Sequence, residues 1–159
     1  MNFESKTLFK SPTFPGVSVK LRKLSHGARV RIDMAVAPAR AKIRDFSEEM
    51  DEIRETINAN VDANLPEDER LKAAERAATR EDRRRLQDLG SNIQRIVYSE
   101  IEPAYLREAV KEILHFTIDG EPCTTVDALL EDGPQELVKE IYDEIQAGVL
   151  GLSGDERKN

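Results

Sequence analysis

Tryptophan is absent from this chain, cysteine occurs once, histidine twice, and aromatic residues make up only 5% of its 159 positions. A lone Cys123 cannot close a disulfide within the chain. Together with His26 and His115 it falls short of the four-ligand set of a structural zinc site, so no metal ligand is assigned. Long apolar runs are missing as well. Stretches such as MAVAPARA are far too short to span a bilayer, and MNFESKTLFK lacks the unbroken apolar segment of a secretory signal. The expectation is a cytoplasmic protein that does not engage membrane. No Gly-rich phosphate loop, paired metal ligands or helix-turn-helix readout is visible, which argues against a nucleotide-dependent enzyme and against nucleic acid as a partner. No catalytic residue, cofactor-binding residue or cofactor is therefore assigned, and the chain is read as a binding protein rather than an enzyme.

What the chain has in quantity is charge, 35% of its residues, and that charge is polarised. Residues 1–45 hold ten Lys/Arg against Glu4, Asp33 and Asp45, a balance of +7, whereas the remainder holds 14 bases and 28 acids, a balance of −14. Two outcomes follow: the basic head pairs with the acidic tail, within the fold or with another copy, or the head is a basic partner-binding arm.

The patterning predicts a mainly α (α+β) protein, a single domain over residues 1–152. Residues 1–24 form a strand-rich segment: Pro12, Pro15 and Gly16 break the chain, and Val17, Val19 and Leu21 then alternate with Ser18, Lys20 and Arg22 as in a short strand or hairpin. Residues 25–98 form a long helical hairpin. Its first helix carries Ile32, Val36, Ala39, Ile43, Phe46, Met50, Ile53 and Ile57 in alternating steps of four and three, the seam of a helix packed lengthwise on another, with Pro38 placed to kink or restart it. Its second starts at Pro66, ahead of Glu67, Asp68 and Glu69, and runs through Leu71, Ala74, Ala78, a polar gap, Leu86, Leu89, Ile93 and Ile96. The gap holds TREDRRRL, read as a solvated face in which Glu81 and Arg85 pair at i,i+4, because no aromatic is interleaved for base stacking.

Residues 99–152 are expected as helix, hairpin and helices. A third helix from Pro103 places Leu106, Val110, Ile113 and Leu114 on one side. A small β-hairpin near 116–124 turns at Asp119-Gly120, and Thr124-Thr125 start a helix through Val126, Leu129 and Leu130. A last helix opens near Gly133-Pro134 with Leu137, Ile141, Ile145, Val149 and Leu152 on one face, and 153–159 form a flexible tail. Within the hairpin Asp119 reads as turn chemistry rather than a general acid, and Cys123 as a half-buried strand residue rather than a nucleophile.

The stretches SVKLRKLS before a charged long helix, FTIDGEPCTTVDALLEDGPQELVKEIYDEI and GLSGDERKN, in that order, resemble the tail assembly chaperones of long-tailed bacteriophages and related prophages. The resemblance covers most of the chain and is loosest over residues 60–95. It implies a small, mainly helical, non-enzymatic protein in the bacterial host cytoplasm that binds the tape-measure protein and helps tail-tube protein assemble around it. It also implies a longer product made by a ribosomal frameshift near Arg157-Lys158-Asn159. The alternative is a structural neck or tail-completion protein retained in the virion, and the outsider is a DNA-binding regulator or enzyme. Self-association is a further option. Since a tape-measure protein is long and helical, its chaperone is expected to offer an apolar helix face framed by charge, and Ile43, Phe46, Met50, Ile53 and Ile57 are the candidate partner-binding residues. Packing against the second helix is the competing use of the same stripe.

Overall fold

The computed structural model describes residues 6–149, with side chains from 8 to 148. The architecture is mostly helical α+β with a small β-hairpin, as the patterning predicts, while the N-terminal sheet has three antiparallel strands where a strand pair is expected. The expected tail 153–159, Leu152 and the frameshift site lie outside the described residues. Contacts divide the described chain into two compact units, one of residues 6–36 with 99–149, the other of Ala37–Tyr98.

In the first unit β1 (Lys6–Lys10) and β2 (Ser18–Arg22) pair through the Pro- and Gly-containing connection. Alternation then sorts β2: Val19 and Leu21 are buried, while Lys20 points away and pairs with Glu112 at 2.6 Å. The first turns of α1 (His26–Asn58), capped by Ser25 accepting from the Ala28 amide at 3.1 Å, bury Ala28, Ile32 and Val36. Further along the chain come α4 (Glu102–Ala109), β3 (Val110–Leu114), the hairpin β4 (Thr117–Ile118) and β5 (Glu121–Pro122), α5 (Val126–Asp132) and α6 (Gln135–Val149). Helices α4 and α5 pack on α6, and Leu106, Ile113, Leu129, Leu137 and Ile141 are fully buried, as are Val19 and Val36. Truncating such a leucine to alanine costs about 2–5 kcal/mol.

One expectation is corrected here. Val110, Ile113 and Leu114 do not continue the third helix; they form β3, paired with β2. The register shifts between Lys20 and Leu21, so that Glu112 faces Lys20 while Val110 faces Leu21, leaving Lys111 as the extra residue. This bulge brings Val110 and Ile113, three apart, to the same buried face. A strand with a bulge thus imitates the spacing of a helix.

The polarised charge meets within this unit. Glu108 of α4 receives both Arg22 and Arg31, and Ser11 donates its hydroxyl to Glu140 of α6 at 2.5 Å.

The second unit contains the rest of α1, then α2 (Glu67–Ala77) and α3 (Arg80–Ile96). Helix α1 continues through Pro38 without restarting. The second helix, expected as one piece, is two: Ala78 turns extended, and Thr79 opens α3 with a capping box in which its hydroxyl oxygen accepts from the Asp82 amide at 3.1 Å while Asp82 accepts from the Thr79 amide at 2.9 Å. The polar gap in the stripe is therefore a break in the helix. Glu49 of α1 takes Arg85 of α3 at 2.5 Å, so Arg85 pairs across the hairpin rather than with Glu81. Helix α3 passes directly into a π-helical turn, Val97–Ile101, and on into α4. Pro103, which lacks an amide hydrogen, sits just beyond this wider turn, where the regular ladder is already interrupted.

Candidate partner-binding surface

The stripe of α1 arises from its four-three spacing, which keeps Ile32, Val36, Ala39, Ile43, Phe46, Met50, Ile53 and Ile57 on one side, while Val30 and Met34 lie off it and are exposed. Its burial is uneven. In the first unit Ile32 and Val36 are closed over, and in the second Ala39 and Ile57 are buried, but Ile43, Phe46, Met50 and Ile53 between them are only half-buried. The structure thus brings four of the five candidate residues together as an incompletely covered line and places the fifth, Ile57, in the floor of a cleft.

That cleft has a volume of about 440 Å³ and is lined by Arg54 and Ile57 of α1, Ala74, Glu75 and Ala78 around the end of α2, and Arg83 and Leu86 of α3. The sequence makes it deep in a simple way. The run KAAERAA puts small side chains on α2 where it faces its neighbours, and the break at Ala78 lets α3 start at a new position. Helix α2 has no buried residue at all, and its Leu71, one turn before Ala74, is 63% exposed. An 11-residue helix is marginal in isolation and ordinarily holds its shape by burying its apolar side.

Charge frames this surface. Arg54 pairs with Asp51 at 3.1 Å within α1, and Arg83 donates from Nε to the Thr79 carbonyl at 3.3 Å. Arg80 and Arg84, with Glu81, Arg85 and Asp88, line a second open depression, of about 730 Å³, on α3. Asp82 is held below the usual carboxylate range by the Thr79 hydroxyl first and its backbone amide second. The unit as a whole holds 12 Lys/Arg and 14 Asp/Glu, so its arginines do not make it a basic body.

The hairpin in the first unit carries no comparable site. Asp119 (φ 50°) and Gly120 (φ 88°) form a two-residue turn between β4 and β5, and both residues lie at the exposed tip. Cys123 is 4% exposed, more deeply placed than a half-buried strand residue. Burial pushes its thiol up, away from the thiolate a nucleophile needs. His26 and His115 are both exposed, and among the described residues no group of three or more His, Cys, Asp or Glu is arranged to hold a metal ion. None of the described helices is long and apolar enough to cross a membrane.

One residue escaped the sequence reading. Glu102 in α4 is 2% exposed, and its Oε2 meets no hydrogen-bond partner. Burial raises its carboxyl above the usual range, Lys139 opposes the shift, and Asp143 adds to it. It sits one residue before Pro103 among apolar neighbours in sequence, and no local pattern marks it.

Compared with protein-family models, curated proteins and solved structures, the chain matches none.

Proposed function

We propose that this chain is a non-enzymatic tail assembly chaperone of a long-tailed bacteriophage, which holds helical segments of the tape-measure protein in soluble form while tail-tube protein assembles around it. The observation that carries the reading is the unfinished apolar side of residues 37–98. Ile43, Phe46, Met50 and Ile53 are half-covered, Leu71 is open, and α2 buries nothing. A helical hairpin that exists only to fold would close these residues on one another, whereas one that receives a partner helix leaves a line for it. Met50 beside Phe46 suits segments of varying shape, since an unbranched thioether repacks easily. The resemblance of SVKLRKLS, the hairpin-containing stretch and GLSGDERKN to this chaperone family supplies the identity of the partner.

The test is co-expression with a phage tape-measure protein. The chain keeps that product soluble, and exchanging Phe46 and Met50 for serine abolishes the effect while the variant still melts cooperatively. A tape-measure product equally insoluble with and without the chain overturns the proposal. Recovery of the chain in purified virions favours the neck or tail-completion alternative instead.

A further inference from the structure

The reading above says that a partner helix is held, not which helices are chosen. We propose that the cleft of Ile57, Ala74, Ala78 and Leu86 is a docking groove for an amphipathic helix of another protein whose apolar anchors are flanked by carboxylates. This rests on the partner-binding reading of residues 37–98 but not on the partner being a phage protein.

The shape points to a helix. The groove is walled by three helical elements and floored by alanines. Leu71 lies in line with Ala74 and Ala78 along α2, so the apolar track runs about two turns, roughly 10 Å. A track of that length receives anchors spaced at i, i+3 or i+4 and i+7, which is how an apolar helix face enters a groove. Helix α2, with no buried residue, gains from an occupant the covered side that its own fold does not give it.

The charge points to carboxylates. Of the three charged residues at the cleft, Arg54, in an exposed pair with Asp51, and Arg83 stand on α1 and α3, and Glu75 alone stands on α2. Beyond Arg83 the row continues with Arg80 and Arg84, which form no ion pair among the described residues, whereas Arg85 is held by Glu49. Fork-shaped guanidinium groups bordering an apolar groove on two sides favour Asp or Glu beside the anchors and disfavour Lys. A second copy of this chain is the weaker occupant, because its α2 offers one large exposed anchor, Leu71, and the exposed pair Val30 and Met34 of α1 is flanked by Arg29 and Arg31 as well as by Asp33.

The experiment uses the full-length chain and three fluorescein-labelled synthetic peptides of equal length. One carries leucines at i, i+3, i+4 and i+7 with glutamates on the flanks, one has lysines in place of the glutamates, and one has the glutamates with scrambled leucine order. In fluorescence anisotropy at low ionic strength the first binds roughly tenfold or more tightly than either of the others. Exchanging Arg54 and Arg83 for glutamate reverses the preference between glutamate and lysine flanks. Leu71→Ser, at an exposed position, weakens binding several-fold without shifting the melting temperature. Equal binding of all three peptides, no binding, or a dimer that forms in place of peptide binding and is lost in Leu71→Ser overturns the groove. If the glutamate peptide is selected while co-expressed tape-measure protein stays insoluble, the groove stands and the phage assignment falls. If that protein is kept soluble but no peptide is preferred, the groove falls and the assignment stands.

Discussion

Arg31 and Glu108 form a two-pronged ion pair across 77 positions of the chain, with Nε 2.8 Å from Oε1 and Nη2 2.8 Å from Oε2. The pair ties the first turns of α1 to α4, and Arg22 adds a third contact at 3.4 Å. Hydrogen bonding from Arg31, then its charge and that of Arg22, hold the Glu108 carboxyl below its usual range. A depressed folded value means that this stability is present at neutral pH and is lost as the pH falls through that value. Glu108→Gln is expected to lower the melting temperature at neutral pH and to flatten its decline on acidification. Added salt narrows the difference, since Arg31 is largely exposed. Melting curves across that pH range check this, and equal acid slopes in both proteins contradict it.

Glu102 behaves with the opposite sign. Its raised folded value means that it binds a proton more tightly in the native state, so stability falls as the pH rises from the usual carboxylate range through the raised value. Burial is its main cause; Lys139 of α6 opposes the shift and Asp143 adds to it, the two being themselves paired at 2.6 Å. Glu102→Gln, which keeps the shape of the protonated acid, is expected to remove that fall and to be the more stable protein at neutral pH. Chemical denaturation at several pH values measures it. A glutamine variant less stable than the parent at neutral pH contradicts it.

At the tip of the small hairpin, Gly120→Val costs about 1–2 kcal/mol because its φ of 88° lies in the region that side chains disfavour, while Asp119→Asn is silent. Loss of the proposed solubilising activity in Asp119→Asn with unchanged melting would give that carboxylate a chemical role.

Gly133, between α5 and α6, is required for space. A Cβ there would collide with the Leu129 carbonyl oxygen and side chain, so Gly133→Ala is expected to destabilise by about 1–3 kcal/mol, the range for overpacking. An alanine variant that melts with the parent contradicts the close approach.

The elements of this fold were legible where one physical signal dominated. Asp119-Gly120 specified its turn, Ser18 to Arg22 alternated cleanly, and the four-three steps from Ile32 to Ile57 specified one helix strongly enough to carry it through Pro38. Legibility failed where two signals overlapped. The bulge at Lys111 gave β3 a helical spacing, and the capping box of Thr79 and Asp82 was present in the letters TRED but hidden by the strong helix formers on either side. The stripe residues could be named from sequence, but their half-burial could not, because coverage depends on where α2 stops and α3 begins. For the same reason the spacing of Leu71, Ala74 and Ala78 places them on one stripe but does not tell that Leu71 is exposed. Glu102 had no signal, since an isolated acid among apolar residues looks like any surface acid until its surroundings are placed.

Hydrogen exchange on the complex with co-expressed tape-measure protein tests most directly whether residues 37–98 receive a partner helix. Amides of 43–57 and 71–86 are expected to gain protection on complex formation, with α2, which buries nothing alone, gaining the most, and with residues 99–149 unchanged. Protection confined to residues 99–149, or a complex whose formation leaves α2 exchanging as it does in the free chain, would contradict the assignment of this surface.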